Sequence, residues 1–448
     1  MQTNSRPKAQ KTTWKTMLKE HDFHAVLRST EGLDKNSPAE AWLYRGKGLE
    51  GLFQLEAAGR TYREGISVHP ESVQLHLALG QLEIQRGHSE AALNTLRKGS
   101  ALAPDNIDFF TALLHLEGLD PDGVDAARIL DRALDDRRSD ASRSRALFFL
   151  GQLNVEAHRD RIGFAFYKAG NRLAAKNLDS ARKEYPLPKQ PFRMSRNDFV
   201  RINSGIPRCP ALVVTGLPRS GKSIIEGILT EHSAILPGGE YAGLRRTLSR
   251  LPKENAASFL QKRARSGISP FTEVYANHPL AKEPCPWIVD TSPANLTRLG
   301  YFGIVHRDTP VILCRRRAMD LGVALYFKKF RNGHGYTYDL SSIGRAIAAS
   351  ERLIEHWNQI MPNPILIVDY ENLVSDPETV RKQLFAHIGL EAPPKRDVSD
   401  ENWRLFPSKS PGPKTPIRPV LLGFADRFAE ELQPLVAAYE ESKTKLEN

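Results

Sequence analysis

The sequence predicts two architectures in succession: an N-terminal α-helical repeat domain, then an α/β domain built on a mainly parallel sheet. Three observations carry this reading. Small residues recur every 34 positions between about residues 41 and 175. Beyond Pro210 the texture changes to short apolar runs alternating with amphipathic stretches. The first of those runs leads into a glycine-bounded loop and then a helical pattern. At roughly 150 residues per domain, 448 residues accommodate two or three domains.

Composition narrows the class. The chain is 40% hydrophobic and 26% charged, the mix of a globular protein rather than a disordered or fibrous one. No apolar run approaches the roughly 18–20 residues that span a bilayer, so no transmembrane segment is expected. Met1 to Lys19 is polar and basic and lacks the apolar centre of a secretory signal. Its basic residues are mainly lysine, with one arginine, which gives only weak support to a mitochondrial presequence. Cys209, Cys285 and Cys314 are too few for a disulfide framework and wrongly spaced for zinc, so reduced thiols and a cytoplasmic location are expected. The formal charge of +11 favours anionic partners such as nucleotides, acidic peptides or an anionic surface. Basic residues are not interleaved with aromatics, so nucleic acid is not the expected partner.

Residues 1–40 read as a basic helical or flexible segment. The repeat follows over 41–179. Pro70 and Pro104 lie 34 residues apart, as do Gly46 and Gly80, Leu43 and Leu77, Ala58 and Ala92, and Gly65 and Gly99. The register continues at Ala126, Leu130 and Ala133, and a shifted unit starts at Ala146. Small residues let paired helices approach closely, and proline ends the second helix of each pair. The pattern resembles the tetratricopeptide repeat (TPR), whose stacked helices form a solenoid. Such a solenoid holds a peptide or partner helix, or serves as a dimerisation or spacer element, so a peptide or protein acceptor and a homodimer both stay open.

Residues 180–208 read as a linker, because Pro186, Pro188 and Pro191 forbid a helix there. The second domain then spans 209–448. Ala211-Leu-Val-Val, Trp287-Ile-Val, Val311-Ile-Leu and Ile365-Leu-Ile-Val are buried-strand candidates, and Ile343 to Trp357 is an amphipathic helix. Strands alternating with helices predict a parallel sheet.

The loop Gly216-Leu-Pro-Arg-Ser-Gly-Lys-Ser223 fits the phosphate-binding pattern G-x-x-x-x-G-K-S between a strand and the helix starting at Ile224. Its glycines let successive N–H groups converge on one phosphate, and the helix dipole adds positive potential. Lys222 would reach oxyanions, and Ser223 would donate to a phosphate or hold magnesium. Read alone, the loop points towards ATP or GTP, with Asp369 at a strand end as a weak magnesium ligand candidate.

The same loop, through Pro218-Arg-Ser-Gly, also resembles the P-R-S-G-T-T motif of sulfotransferases that use 3′-phosphoadenosine 5′-phosphosulfate (PAPS). The likeness continues at Gly238-Gly-Glu240, at Cys314-Arg-Arg-Arg through Tyr326-Phe327, at His334 to Leu340, at His356-Trp357 and at Tyr370 to Pro377. These blocks stand in family order over roughly residues 205–390. Repeats preceding the sulfotransferase domain occur in one branch of that family, and the chain resembles a TPR-containing relative of the protein-tyrosine sulfotransferases. The resemblance implies that Arg219 is the cation at the departing phosphate and Glu240 the general base. It implies that Arg219, Ser220, Gly221, Lys222 and Ser223 hold the 5′-phosphate, that Arg316 binds the 3′-phosphate, and that no metal is required. Tyr326, Phe327 and Phe330 are expected in the core rather than against adenine.

The sequence departs from the family at several functional places. Lys222-Ser223 replaces Thr-Thr, Ala324 stands where a serine contacts the 3′-phosphate, and Arg317-Ala318 replaces Asp-Pro. Thr291 replaces a lysine, and the region around Gly423 to Arg427 lacks the basic-aromatic run near the donor. Three functions are therefore expected to compete: a sulfotransferase acting on a hydroxyl acceptor such as protein tyrosine, a catalytically impaired scaffold, and a P-loop NTPase or kinase.

Overall fold

The structure is a computed structural model that describes residues 14–176, 178–179, 184–185, 191–199, 206, 208–252, 255–281, 287–330, 333–394 and 422–447. The first residues of the basic N-terminal segment, Pro186, Pro188 and Cys285 fall outside this range. Two compact units divide near residue 130.

In the first unit, helices Ala39–Gly51 and Leu55–Val68 form one antiparallel pair, and Val73–Arg86 and Ser89–Leu102 form the next. Gly46 lies against the ring of Tyr62, and Gly80 against Leu96, each with no room for a Cβ. The 34-residue spacing of Gly46 and Gly80 is thus a packing requirement, because each receives a large side chain from 16 positions later. Ala58 and Ala92 are fully buried, and Tyr62, Leu75 and Leu96 fill the interior.

The second unit begins with helices that repeat the same device. In the pair Asp140–Glu156 and Asp160–Ala175, Gly151 abuts the ring of Tyr167, again 16 residues on. Phe148, Phe164 and Tyr167 share a core with Tyr326, Ile343 and Phe428, so this pair packs on the α/β elements. Tyr326 is buried and Phe327 stacks on Tyr167 at 3.9 Å, as expected of core aromatics.

The sheet has five parallel strands: β1 (Ala211–Thr215), β2 (Ile235–Pro237), β3 (Trp287–Asp290), β4 (Val311–Arg315) and β5 (Ile365–Asp369). Their order is β2-β3-β1-β4-β5, and each neighbouring pair is parallel. Alternation within β1 sends Ala211 and Val213 to one core and Leu212 and Val214 to the other. Helix Leu340–Ile360 covers the first face through Leu353, Ile354 and Trp357. Helices Lys222–Leu229 and Pro377–His387 cover the second through Ile225, Leu229, Leu384 and Phe385. Both faces are buried, which is why four strands read as apolar runs in the sequence. The fifth, β2, is a three-residue edge strand ending in proline, too short to leave a pattern.

The chain leaves β1 towards β2 and β3 on one side and later towards β4 and β5 on the other. β1 is therefore a topological switch point, and in open α/β sheets ligands bind at the carboxyl ends of the strands around such a point. No helix among the described residues is long and apolar enough to cross a membrane.

Candidate active site

Along the carboxyl edge of the sheet the loops follow the strand order: Gly238 to Glu240 after β2, Asp290 closing β3, the 216–221 loop after β1, Arg316 after β4 and Tyr370 after β5. Residues 150 positions apart in sequence become neighbours through this parallel pairing alone.

The loop after β1 is built to present donors. Gly221 has φ +98°, a left-handed conformation that suits glycine, and a Cβ there would come within 2.9 Å of the Tyr370 ring. Arg219 holds φ +71°, strain that a non-glycine residue accepts when surrounding structure enforces it. Ser220 Oγ donates to Leu217 O at 2.8 Å, which closes the turn. Among the described residues, the N–H groups of Gly221, Lys222 and Ser223 have no hydrogen-bond partner at the start of helix Lys222–Leu229. Unpaired N–H groups and the helix dipole together make an anion cradle.

Three cations gather at this cradle. Lys222 is only 6% exposed, and its ammonium donates to Leu217 O at 2.6 Å. Burial pulls its pKa from 10.5 to about 8, with Glu240 opposing the shift and Arg219 adding repulsion. Arg219 is open to solvent at the crevice, and its pKa is lowered by desolvating surroundings and then by the charge of Arg316. Arg316 is buried, and its Nη1 donates to Arg219 O at 3.3 Å. Of the three consecutive arginines, Arg315 is paired with Asp369 at 2.8 and 3.0 Å, and Arg317 with Asp320 and Asp426. Arg316 has no carboxylate partner among the described residues, and its Nε is buried without a hydrogen bond. Asp320 and Glu371 favour the charge of Arg316, and Glu240 that of Lys222, from beyond ion-pair distance, and cations held close together without an ion pair suit a bound polyanion.

Glu240 is exposed and within electrostatic range of Lys222. It does not cap the next helix. That role falls to Asp290, which is fully buried and accepts from the N–H groups of Ala242 and Gly243, from the Tyr275 hydroxyl and from Ser292 N. Glu226 Oε1 accepts from Gly239 N at 2.7 Å, and Thr291 N donates to Gly239 O at 2.8 Å. The short segment carrying Glu240 is therefore clamped to the helix behind the anion cradle and to the end of β3.

Arg219, Ser220, Gly221, Lys222, Ser223, Arg316 and Glu240, the seven residues that the resemblance implies, all lie at the carboxyl edge of the sheet. Asp369 does not join them as a metal ligand, since both its oxygens are engaged by Arg315. Ala324 contributes no hydroxyl, and the segment Phe424–Phe428 is docked through Gly423 N and Ala425 N on Asp320 rather than through a basic run. Sequence reasoning did not single out Asp290 or Glu226, and it named His334 only as the start of a family block. The last lies in range of Lys222, and burial and that charge lower its pKa. Asp290 had the same weak signal as Asp369, an acid closing an apolar run, while Glu226 had none. Cys209 and Cys314 are buried free thiols, and burial pushes Cys314 to about 12.

Residues 210–394 match the model of the sulfotransferase family. An uncharacterized protein of Aquifex aeolicus (strain VF5) is 27% identical over 267 residues, covering 54% of this chain and 34% of that protein. The chain thus spans about a third of the length of the curated relative it matches. The crystal structure of the sulfotransferase STF1 from Mycobacterium tuberculosis H37Rv covers 72% of this chain and 97% of its own. It does so at 16% identity and a TM-score of 0.25, which is too low to carry a structural argument. The crevice lies within the stretch matched by the family model, and residues 210–394 form a sulfotransferase-family domain.

Proposed function

We propose that this domain transfers a sulfuryl group from PAPS to the hydroxyl of an acceptor, protein tyrosine being the first choice. The observation that carries the reading is the trio Arg219, Lys222 and Arg316, with Arg219 repelled by the other two and none of the three in an ion pair among the described residues, and the exposed carboxylate of Glu240 within electrostatic range of Lys222. A donor with phosphates at two positions needs cations for both, and Arg316, beside the loop after β1, would serve the second.

The chemistry follows from these groups. The acceptor oxygen forms a bond to sulfur while the bond between sulfur and the bridging phosphate oxygen breaks. Charge grows on that departing oxygen, where Arg219 and Lys222 stabilise it. Glu240 takes the acceptor's proton. The products are the sulfated acceptor and 3′-phosphoadenosine 5′-phosphate. No step calls for a metal. The N-terminal helical pairs, read as TPR units, would present a polypeptide acceptor.

Lys222 and Ser223 favour a second reading, nucleoside triphosphate binding, but the commitment of Asp369 to Arg315 weighs against it. The test is transfer of radiolabelled sulfuryl from PAPS to an acidic tyrosine peptide. Labelled peptide is expected from the wild-type protein. No transfer to this or any other hydroxyl acceptor would favour a scaffold role.

A further inference from the structure

Between the end of β4 and helices Ala318–Tyr326 and Leu340–Ile360 lies a small cavity of about 10 Å³. That is room for one water molecule. Leu321, Ile347 and Ile354 give it apolar walls, and Arg316, Ser350 and Glu351 line it as well. A purely apolar cavity stays dry, whereas one with several convergent polar groups holds water.

Each of the three polar residues has hydrogen-bonding capacity that the protein itself does not meet. Arg316 is buried and its Nε has no partner, while Nη1 donates to Arg219 O at 3.3 Å. Ser350 is buried too, and its hydroxyl makes no hydrogen bond among the described residues. A helical serine commonly bonds the carbonyl one turn back, and this one does not. Glu351 accepts from the Tyr439 hydroxyl at 2.7 Å through Oε2, which leaves Oε1 without a partner among the described residues. Arginine only donates, so Nε needs an acceptor, and neither Ser350 nor Glu351 reaches it directly. A water molecule satisfies all three: it accepts from Nε–H and donates its two protons to Ser350 Oγ and Glu351 Oε1.

We propose that the cavity binds a single water that links Arg316 Nε to Ser350 Oγ, and that Ser350 is thereby a positioning residue for Arg316. With Nη1 tied to Arg219 O and Nε tied through the water to helix Leu340–Ile360, the guanidinium plane is fixed from two sides, and Nη2 is left for a ligand. The consequence for nucleotide binding rests on the donor reading given above; the water itself does not.

The water is sought in a high-resolution crystal structure of the wild-type protein, where an ordered water within hydrogen-bond distance of both Arg316 Nε and Ser350 Oγ is expected. Ser350→Ala removes the hydroxyl, and Ser350→Val also fills the cavity with a methyl group. After thermal melts establish that both variants fold, each is titrated calorimetrically with 3′-phosphoadenosine 5′-phosphate and with adenosine 5′-monophosphate. Both are expected to bind the bisphosphate about three- to tenfold more weakly and the monophosphate as wild type does. A crystal structure without that water overturns the proposal and leaves the donor reading standing. Wild-type affinity for the bisphosphate in both variants, or equal weakening of both nucleotides, does the same. Failure of the wild-type protein to bind either nucleotide removes the donor reading, and with it the positioning role of Ser350, whatever the cavity holds.

Discussion

Lys222→Met is the most informative perturbation, because the buried ammonium leaves a signature in stability that needs no substrate. Burial lowers its pKa from 10.5 to about 8, a difference of about 2.5 units or about 3 kcal/mol at 1.36 kcal/mol per unit. The sign follows from proton counting. Between pH 8 and 10.5 the unfolded chain holds a proton on this lysine that the folded chain has released, so stability rises with pH across that window. Below about pH 8 both states are protonated and the full penalty of burying the charge applies. Urea denaturation of wild type and Lys222→Met from pH 7 to 10 isolates the effect, since other groups cancel in the difference. Wild-type stability should gain about 2–3 kcal/mol relative to the variant over that range. A bound anion should hold Lys222 charged, so nucleotide binding at pH 8.5 should take up a fraction of a proton, measurable by calorimetry in two buffers of different ionisation enthalpy. Parallel stability curves for the two proteins would refute the assignment of a desolvated ammonium.

Three further outcomes are expected. Glu240→Gln should lower turnover by about 10²–10⁴-fold with unchanged affinity for 3′-phosphoadenosine 5′-phosphate, whereas Arg219→Ala should lower both, as steady-state rates beside titrations would reveal. Asp290→Asn replaces a fully buried carboxylate that accepts four hydrogen bonds, so urea denaturation should show a loss of about 2–4 kcal/mol. Gly221→Ala puts a Cβ against Tyr370 at a left-handed φ, and should cost about 1–3 kcal/mol in denaturation and abolish nucleotide binding in a titration.

What the sequence disclosed and what it hid have separate physical causes. The anion cradle is local: its glycines, Lys222 and Ser223 fall within eight consecutive positions, 216–223, and the helix starts within them, so spacing alone carried it. The four longer strands are buried on both faces and left unbroken apolar runs. Gly46 and Gly80 announced close helix packing because only small residues fit opposite Tyr62 and Leu96. The supports of the site are non-local. Asp290 gains its role from Ala242, Gly243 and Tyr275, which no period links to it. Tyr370 meets Gly221 and Arg316 only because β5, β4 and β1 lie side by side. The same pairing separates three consecutive arginines into two ion-paired groups and one without a carboxylate partner, a distinction a charge run cannot reveal.

Binding of a nucleoside with two separate phosphates at the carboxyl edge of β1 and β4 decides the proposed function. It is tested most directly by calorimetric titration of the wild-type protein with 3′-phosphoadenosine 5′-phosphate and with Mg-ATP, repeated on Arg316→Ala. The bisphosphate should bind, Mg-ATP should not displace it, and Arg316→Ala should weaken it about tenfold. Preferential binding of Mg-ATP, or a bisphosphate affinity that Arg316→Ala leaves unchanged, would contradict it.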